Sequence, residues 1–204
     1  MKILRIYKNK LHLKESVFMS NLTFLNIKRN RECTKKTKKL YNEAFPEDER
    51  IPIWILKILS RKNKAKFYSI YDKTKFIGLV YNIYYKNIVF IFYFAINKEY
   101  RGQGYGSKII EIIKQKYSNS RIILSIEQID ENSSNYKQRI KRKEFYLKNG
   151  FKESNYTIKE KGIIYEMLYY NENDKSVELQ EFQEMMKNYF GKILYKHFYK
   201  KISK

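Results

Sequence analysis

The chain has 204 residues, of which 43% are hydrophobic and 31% charged, so it can build a real core and is not disordered throughout. Seven Gly, two Pro and one Cys exclude collagen-like, Pro-rich and disulfide-scaffold classes, and two His with one Cys cannot complete a His/Cys zinc site, so no metal is expected. The net charge of +22 suits polyanions, but abundant Lys beside abundant Ile, Asn and Tyr is also the mark of AT-rich codon usage, and that compositional origin is preferred.

Residues 1–18 read as a basic N-terminal extension. They lack the apolar stretch of a signal peptide, and Met19 opens the expected domain. Leu22 to Ile27 suits a first strand. Thr34 is expected to cap a helix over 35–45, with Leu40, Tyr41, Ala44 and Phe45 as its apolar stripe and Pro46 as its stop. The run Glu47-Asp48-Glu49 leads to a second helix with Pro52 near its first turn and Ile51, Trp54, Ile55, Ile58 and Leu59 on one side.

Three strands follow, over 66–71, 76–85 and 88–96, joined by tight polar turns into an antiparallel meander. The last, almost wholly apolar, is expected to be central and covered on both faces. Asn82, Lys86 and Asn87 break the stretch 76–96 into pieces well short of the ~20 apolar residues of a spanning helix. No membrane association is expected, and the protein reads as cytoplasmic.

A glycine-rich turn then opens a helix over 105–117. A strand over 121–127, a long polar connection over 128–136, and a helix ending at Asn149-Gly150 come next. A hairpin over 151–159 and 163–170 closes the domain, and a last amphipathic helix spans 177–199. The expected domains are an extension over 1–18, an α/β (α+β) domain over 19–171 with a mixed, mostly antiparallel sheet flanked by helices, and a C-terminal helix and tail over 172–204.

Chemistry concentrates in Arg101-Gly102-Gln103-Gly104-Tyr105-Gly106-Ser107, which holds three of the seven glycines between an apolar strand and an amphipathic helix. Glycines let the backbone turn sharply, and the following helix N-terminus offers amides that no helical carbonyl takes. With Arg101 beside them these donors suit a phosphate or pyrophosphate. A P-loop would need Lys-Ser or Lys-Thr after its last glycine, and a dinucleotide loop needs a different glycine spacing within parallel strands.

Arg101-x-x-Gly104-x-Gly106 after Ile96-Asn97-Lys98-Glu99-Tyr100 resembles the acyl-CoA loop of the GNAT superfamily of N-acetyltransferases. Phe145-Tyr146-Leu147-Lys148-Asn149-Gly150-Phe151 is similar to that family's closing helix and its turn into the next strand. The resemblance covers Leu22 to Tyr170 and implies the GNAT fold, with acetyl-CoA as co-substrate and a primary amine, small molecule or peptide, as acceptor. It implies that Phe94, Ala95 and Ile96 lie along the pantetheine arm. Arg101 and the amides of Gly102, Gln103, Gly104, Tyr105, Gly106 and Ser107 would hold the pyrophosphate, and Tyr146 would protonate the departing thiolate.

Glu127, at a strand end, is a candidate base for the amine, directly or through water, set beside the alternatives of an exposed strand-end carboxylate or an ion-pair partner for Arg139 or Arg142. Those two arginines stand where many relatives have Asn and Ala, so the cofactor contact of that Asn does not carry over. Cys33 has no evident His partner, so direct transfer in a ternary complex is expected rather than a cysteine acyl-enzyme. Two other readings compete: a basic nucleic-acid-binding protein on the same scaffold, which is not favoured, and an acyl-CoA sensor without catalysis. Neither the acceptor nor the oligomeric state is legible.

Overall fold

The computed structural model describes residues 17–19, 22–27, 31–60, 63–160 and 162–199. Most of the expected extension, the end of the tail and Lys161 of the expected hairpin turn lie outside them. The chain divides into two compact units, Met1–Asn82 with Tyr93–Ile109, and Ile83–Phe92 with Ile110–Lys204.

The first unit contains strands β1 (Val17–Met19), β2 (Leu22–Asn26) and β3 (Ala65–Asp72). It also holds most of β4 (Lys75–Tyr85), the end of β5 (Ile88–Ile96), helices α1 (Arg31–Ala44) and α2 (Ile53–Leu59), and the start of α3 (Tyr105–Lys116). Its strand order is β1-β2-β3-β4-β5. The short β1 was not expected. It adds to β2 antiparallel through Val17↔Phe24, and β2 pairs antiparallel with β3 from Leu22↔Asp72 to Asn26↔Tyr68.

Two local expectations give way. Helix α1 begins three residues before Thr34, so Thr34 is not its cap; its hydroxyl lies inside the first turn and donates to the Ile27 carbonyl at 2.9 Å. In α2 the buried residues are Leu56 and Leu59, while Trp54 is 61% and Ile58 45% exposed. Apart from Lys57, which shares the side of Trp54, the segment is apolar, so the period of its apolar residues alone left the buried face open.

Tertiary contacts choose it. Tyr81 donates to the Leu56 carbonyl at 3.1 Å, Tyr41 to Ile51 at 3.0 Å and Tyr93 to Glu49 at 3.0 Å. Buried backbone acceptors need such partners, and three tyrosines thus grip the segment 49–56. The Tyr41 and Tyr93 rings meet edge to face, with centroids 4.9 Å apart.

The second unit contains the end of β4, the start of β5, the rest of α3, β6 (Arg121–Glu127), α4 (Tyr136–Lys148), β7 (Lys152–Glu160), β8 (Ile163–Tyr170) and α5 (Leu179–Tyr199). Its strand order is β4-β5-β6-β8-β7. β5 and β6 are parallel, from Ile88↔Arg121 to Ile91↔Leu124, as the α3 crossover requires, and β6–β8 and β7–β8 are antiparallel. The sheet is therefore mixed and mostly antiparallel, as the sequence implied. Burial of β5 is complete over Ile88–Ile91 and alternates from Phe92 onward, so only its first half is covered on both faces.

The C-terminal helix forms, but not as one uninterrupted rod: Gly191, at φ 73° and ψ 166°, breaks it. Phe182, Met185, Met186, Tyr189 and Phe190 are buried, and Phe182 meets Phe90 edge to face at 5.5 Å. The side chains of Ile193 and Phe198 lie outside the described set. A buried Arg121 anchors the helix: its two terminal nitrogens donate to the two Glu181 oxygens at 2.7 Å each, and further bonds reach Ser176 O and Asn87 Oδ1. Among the described residues, no helix is long and apolar enough to cross a membrane.

This clamp makes stability acid-sensitive. The Arg121 hydrogen bonds hold the Glu181 carboxyl down to about 2, against 4.5 ordinarily. A lowered folded-state value stabilises above the unfolded value and is lost as pH falls from about 4.5 toward 2. Glu181→Gln is expected to cost about 1–2 kcal/mol at pH 7, a modest figure because the carboxylate is partly exposed. The melting-temperature difference from wild type should shrink below pH 4 and vanish near pH 2.

Candidate active site

In the first unit, β5 runs into a 3₁₀ turn at Lys98–Tyr100 and then the glycine-rich turn. Gly102 and Gly104 have φ of 72° and 78°, the left-handed region that side-chain-bearing residues avoid, and a Cβ on either would meet nothing within 4 Å. Gly106 lies inside α3 without a positive φ.

The first backbone bond of α3 is donated by Lys108 to Gly104 O at 3.1 Å. The amides of Gly102 to Ser107 donate to no carbonyl among the described residues. Arg101 is exposed, its Nε donating to Ile96 O at 3.0 Å, and Gln103 Nε2 donates to Glu99 O at 2.8 Å. Tyr105 OH donates to Asp72 Oδ2 at 2.8 Å, tying the helix start to the end of β3.

Phe94 and Ile96 are half-buried and Ala95 is buried. A Cβ at Gly78 would strike the Ala95 carbonyl, so β4 approaches that peptide as only glycine permits. Sequence reading passed over Gly78, although an isolated glycine inside a strand pattern was the available signal.

In the second unit, Glu127 ends β6 and is buried. Its Oε1 lies 3.2 Å from Arg139 Nη2 and accepts from Asn135 Nδ2 at 3.1 Å; its Oε2 accepts from Arg142 Nη1 at 2.7 Å. Arg139 also donates to Asn135 Oδ1 at 2.8 Å and to Gln128 O at 2.7 Å. Of the roles the sequence left open for Glu127, burial overturns that of an exposed carboxylate, and the geometry supplies the ion pair, with both arginines at once. Asn135, which completes the network, was not foreseen; an isolated Asn in a polar connection carries no signal of its own.

Tyr146 lies on α4, buried, with Phe145 and Phe151 rings 5.0 and 5.6 Å away. Burial pushes its phenol up to about 12, and the Arg142 charge works the other way. Its proton is therefore firmly held at neutral pH. Cys33 is buried, accepts from Tyr71 OH at 3.5 Å, and burial pushes its thiol up, the opposite of an activated nucleophile.

Residues 63–153 match the family described as the acetyltransferase (GNAT) domain. The chain is 34% identical over 68 residues to YjbC of Bacillus subtilis (strain 168), a protein named for an inferred acetyltransferase activity. That match covers 33% of each protein, so the chain spans about a third of this relative's length. Among solved structures, a GNAT-family protein from Bacteroides thetaiotaomicron, also named for an inferred acetyltransferase activity, aligns over 84% of this chain and 97% of its own. The TM-score is 0.65 at 21% identity. A spermidine N-acetyltransferase from Vibrio cholerae aligns over 76% and 96%, with a TM-score of 0.57 at 16% identity. Residues 63–153, which include the strand–turn–helix around Gly104, are thus similar to the GNAT acetyltransferase domain, and the fold of the chain is similar to that of solved GNAT proteins.

Proposed function

We propose that this chain is an N-acetyltransferase that moves an acetyl group from acetyl-CoA to a primary amine by direct transfer in a ternary complex. The observation that carries the reading is the turn from Arg101 to Ser107, where open glycines and amides without carbonyl partners stand at a helix start beside a guanidinium. A pyrophosphate takes just such donors. Arg101 and the amides of Gly102, Gln103, Gly104, Tyr105, Gly106 and Ser107 would hold it. Phe94, Ala95 and Ile96 would line the pantetheine arm; β5 pairs with β6 only as far as Ile91, which supports this.

Acetyl-CoA, when bound, supplies the activated thioester. Tyr146 holds a proton at its phenol oxygen for the leaving sulfur, and its burial supports the role by keeping the phenol protonated. Glu127 holds Arg139 and Arg142 in place. To take the amine's proton it would have to release one of them, so water is the preferred acceptor of that proton. The reading places the protein in the cytoplasm, with acetyl-CoA as co-substrate.

The test is thiol release from acetyl-CoA with a panel of amines: spermidine, an aminoglycoside, lysine and a peptide with a free N-terminus. Spermidine leads the panel because it is the acceptor named for the Vibrio cholerae neighbour. Amine-dependent release, with the acetylated amine seen by mass spectrometry, is expected. Acetyl-CoA binding without turnover on any amine would favour a sensor. Salt-dependent RNA binding without acetyl-CoA binding would favour the nucleic-acid reading.

A further inference from the structure

We propose that Lys114 is a positioning residue for Tyr146, holding the turn from α4 into β7 on which the tyrosine hangs; the inference rests on the acid role proposed for Tyr146. Lys114 lies in the last turn of α3 and has no place in either sequence motif. Its Nζ donates to the carbonyl of Asn149, the residue that ends α4. The last carbonyls of a helix lack intrahelical donors, and a cation there also meets the negative end of the helix dipole.

The same turn is built on Tyr146. Its carbonyl accepts from Asn149 N at 3.0 Å and from Phe151 N at 3.1 Å. The Lys114 ammonium lies 4.0 Å from the centroid of the Tyr170 ring and 5.9 Å from that of Phe151, and Phe151 packs on Tyr146 at 5.6 Å. Gly150 completes the fit. At φ 80° it makes the turn, and a Cβ there would come within 3.3 Å of Lys114 Nζ and 3.8 Å of the Tyr170 ring. The ammonium head thus occupies the space that the missing side chain leaves. Lys114 joins α3, α4 and β8 through one point, and that point is the backbone and ring support of Tyr146.

Burying an ammonium costs stability unless it is used, and burial lowers the Lys114 pKa, with Glu111 opposing. Methionine at this position would keep the stem and pack as well. What it loses is the charge and the bond to Asn149.

The experiment has two readouts. A fluorotyrosine placed at position 146 alone is followed by fluorine NMR in the full chain, and thiol release from acetyl-CoA is measured with the best amine of the panel as acceptor. Circular dichroism confirms folding at the assay temperature. Lys114→Met is expected to shift or broaden the fluorine resonance and to lower kcat about tenfold, with KM for acetyl-CoA within about twofold. Lys114→Arg, which keeps a cation and donors, should restore most of both. If Lys114→Met does not fold, Lys114→Gln carries the same expectation.

In a Tyr146→Phe background, Lys114→Met should change kcat no further, because it acts only through the phenol. An unchanged resonance, or an equal loss of kcat in both backgrounds, overturns the proposal. Wild-type turnover in Tyr146→Phe alone would overturn the acid role instead, and the fluorine readout would still decide whether Lys114 positions residue 146.

Discussion

Replacing Tyr146 with Phe is expected to lower kcat by about 10²–10⁴, the usual worth of a positioned acid, while KM for acetyl-CoA stays near its wild-type value. The ring packs between Phe145 and Phe151, and Phe fills the same volume, so folding and binding should survive. What disappears is one proton donor needed as the thiolate leaves, an interaction made only in the transition state. Steady-state kinetics with the best amine of the panel decides the matter. Wild-type turnover would return Tyr146 to a packing role. The pH profile offers an independent check. Burial holds the phenol near 12, and an acid works in its protonated form, so kcat should show no alkaline loss from this group between pH 8 and 10.

Gly104→Val should weaken acetyl-CoA binding at least about 100-fold by calorimetry, with little change in melting temperature. At φ 78° a β-branched residue is strained, and its side chain would project into the open space that the pyrophosphate is proposed to use. Displacing two or three charge-assisted hydrogen bonds is worth about 3 kcal/mol, hence the factor. Gly104 is exposed and a Cβ there meets nothing within 4 Å, so the cost is local backbone strain and the fold should survive. Gly162→Val is the control for strain: Gly162 is also left-handed, at φ 89°, with open space, and it lies in the β7–β8 turn. It should leave affinity unchanged. Loss in both variants would point to backbone strain, and loss in neither would remove the loop from the cofactor site.

What the sequence determined by itself was whatever local chemistry decides. β6 runs from Arg121 to Glu127 as its apolar run predicts, α3 starts at Tyr105 just after the left-handed Gly104, and Gly150 closes the α4 turn at a positive φ. Each follows from residues within a few positions of one another, as does the glycine-rich turn proposed to hold the pyrophosphate; the fold class follows from the order of such elements along the chain. Tertiary structure decided the rest. Trp54 faces outward and Leu56 inward; in the otherwise apolar α2 only Lys57, on the side of Trp54, marks the outer face, and the bond from Tyr81 to the Leu56 carbonyl fixes the helix in place. Glu127 was legible as a carboxylate at a strand end with Arg139 or Arg142 as an ion-pair partner, but that it holds both arginines and Asn135 at once, 8 to 15 residues on, was decided by the fold of the connection. Lys114 is one lysine among many until α3 sets it against Asn149, 35 residues away. Period and propensity act along the chain, whereas a side chain's partner depends on which distant segment packing brings beside it, and that is set only when the core closes.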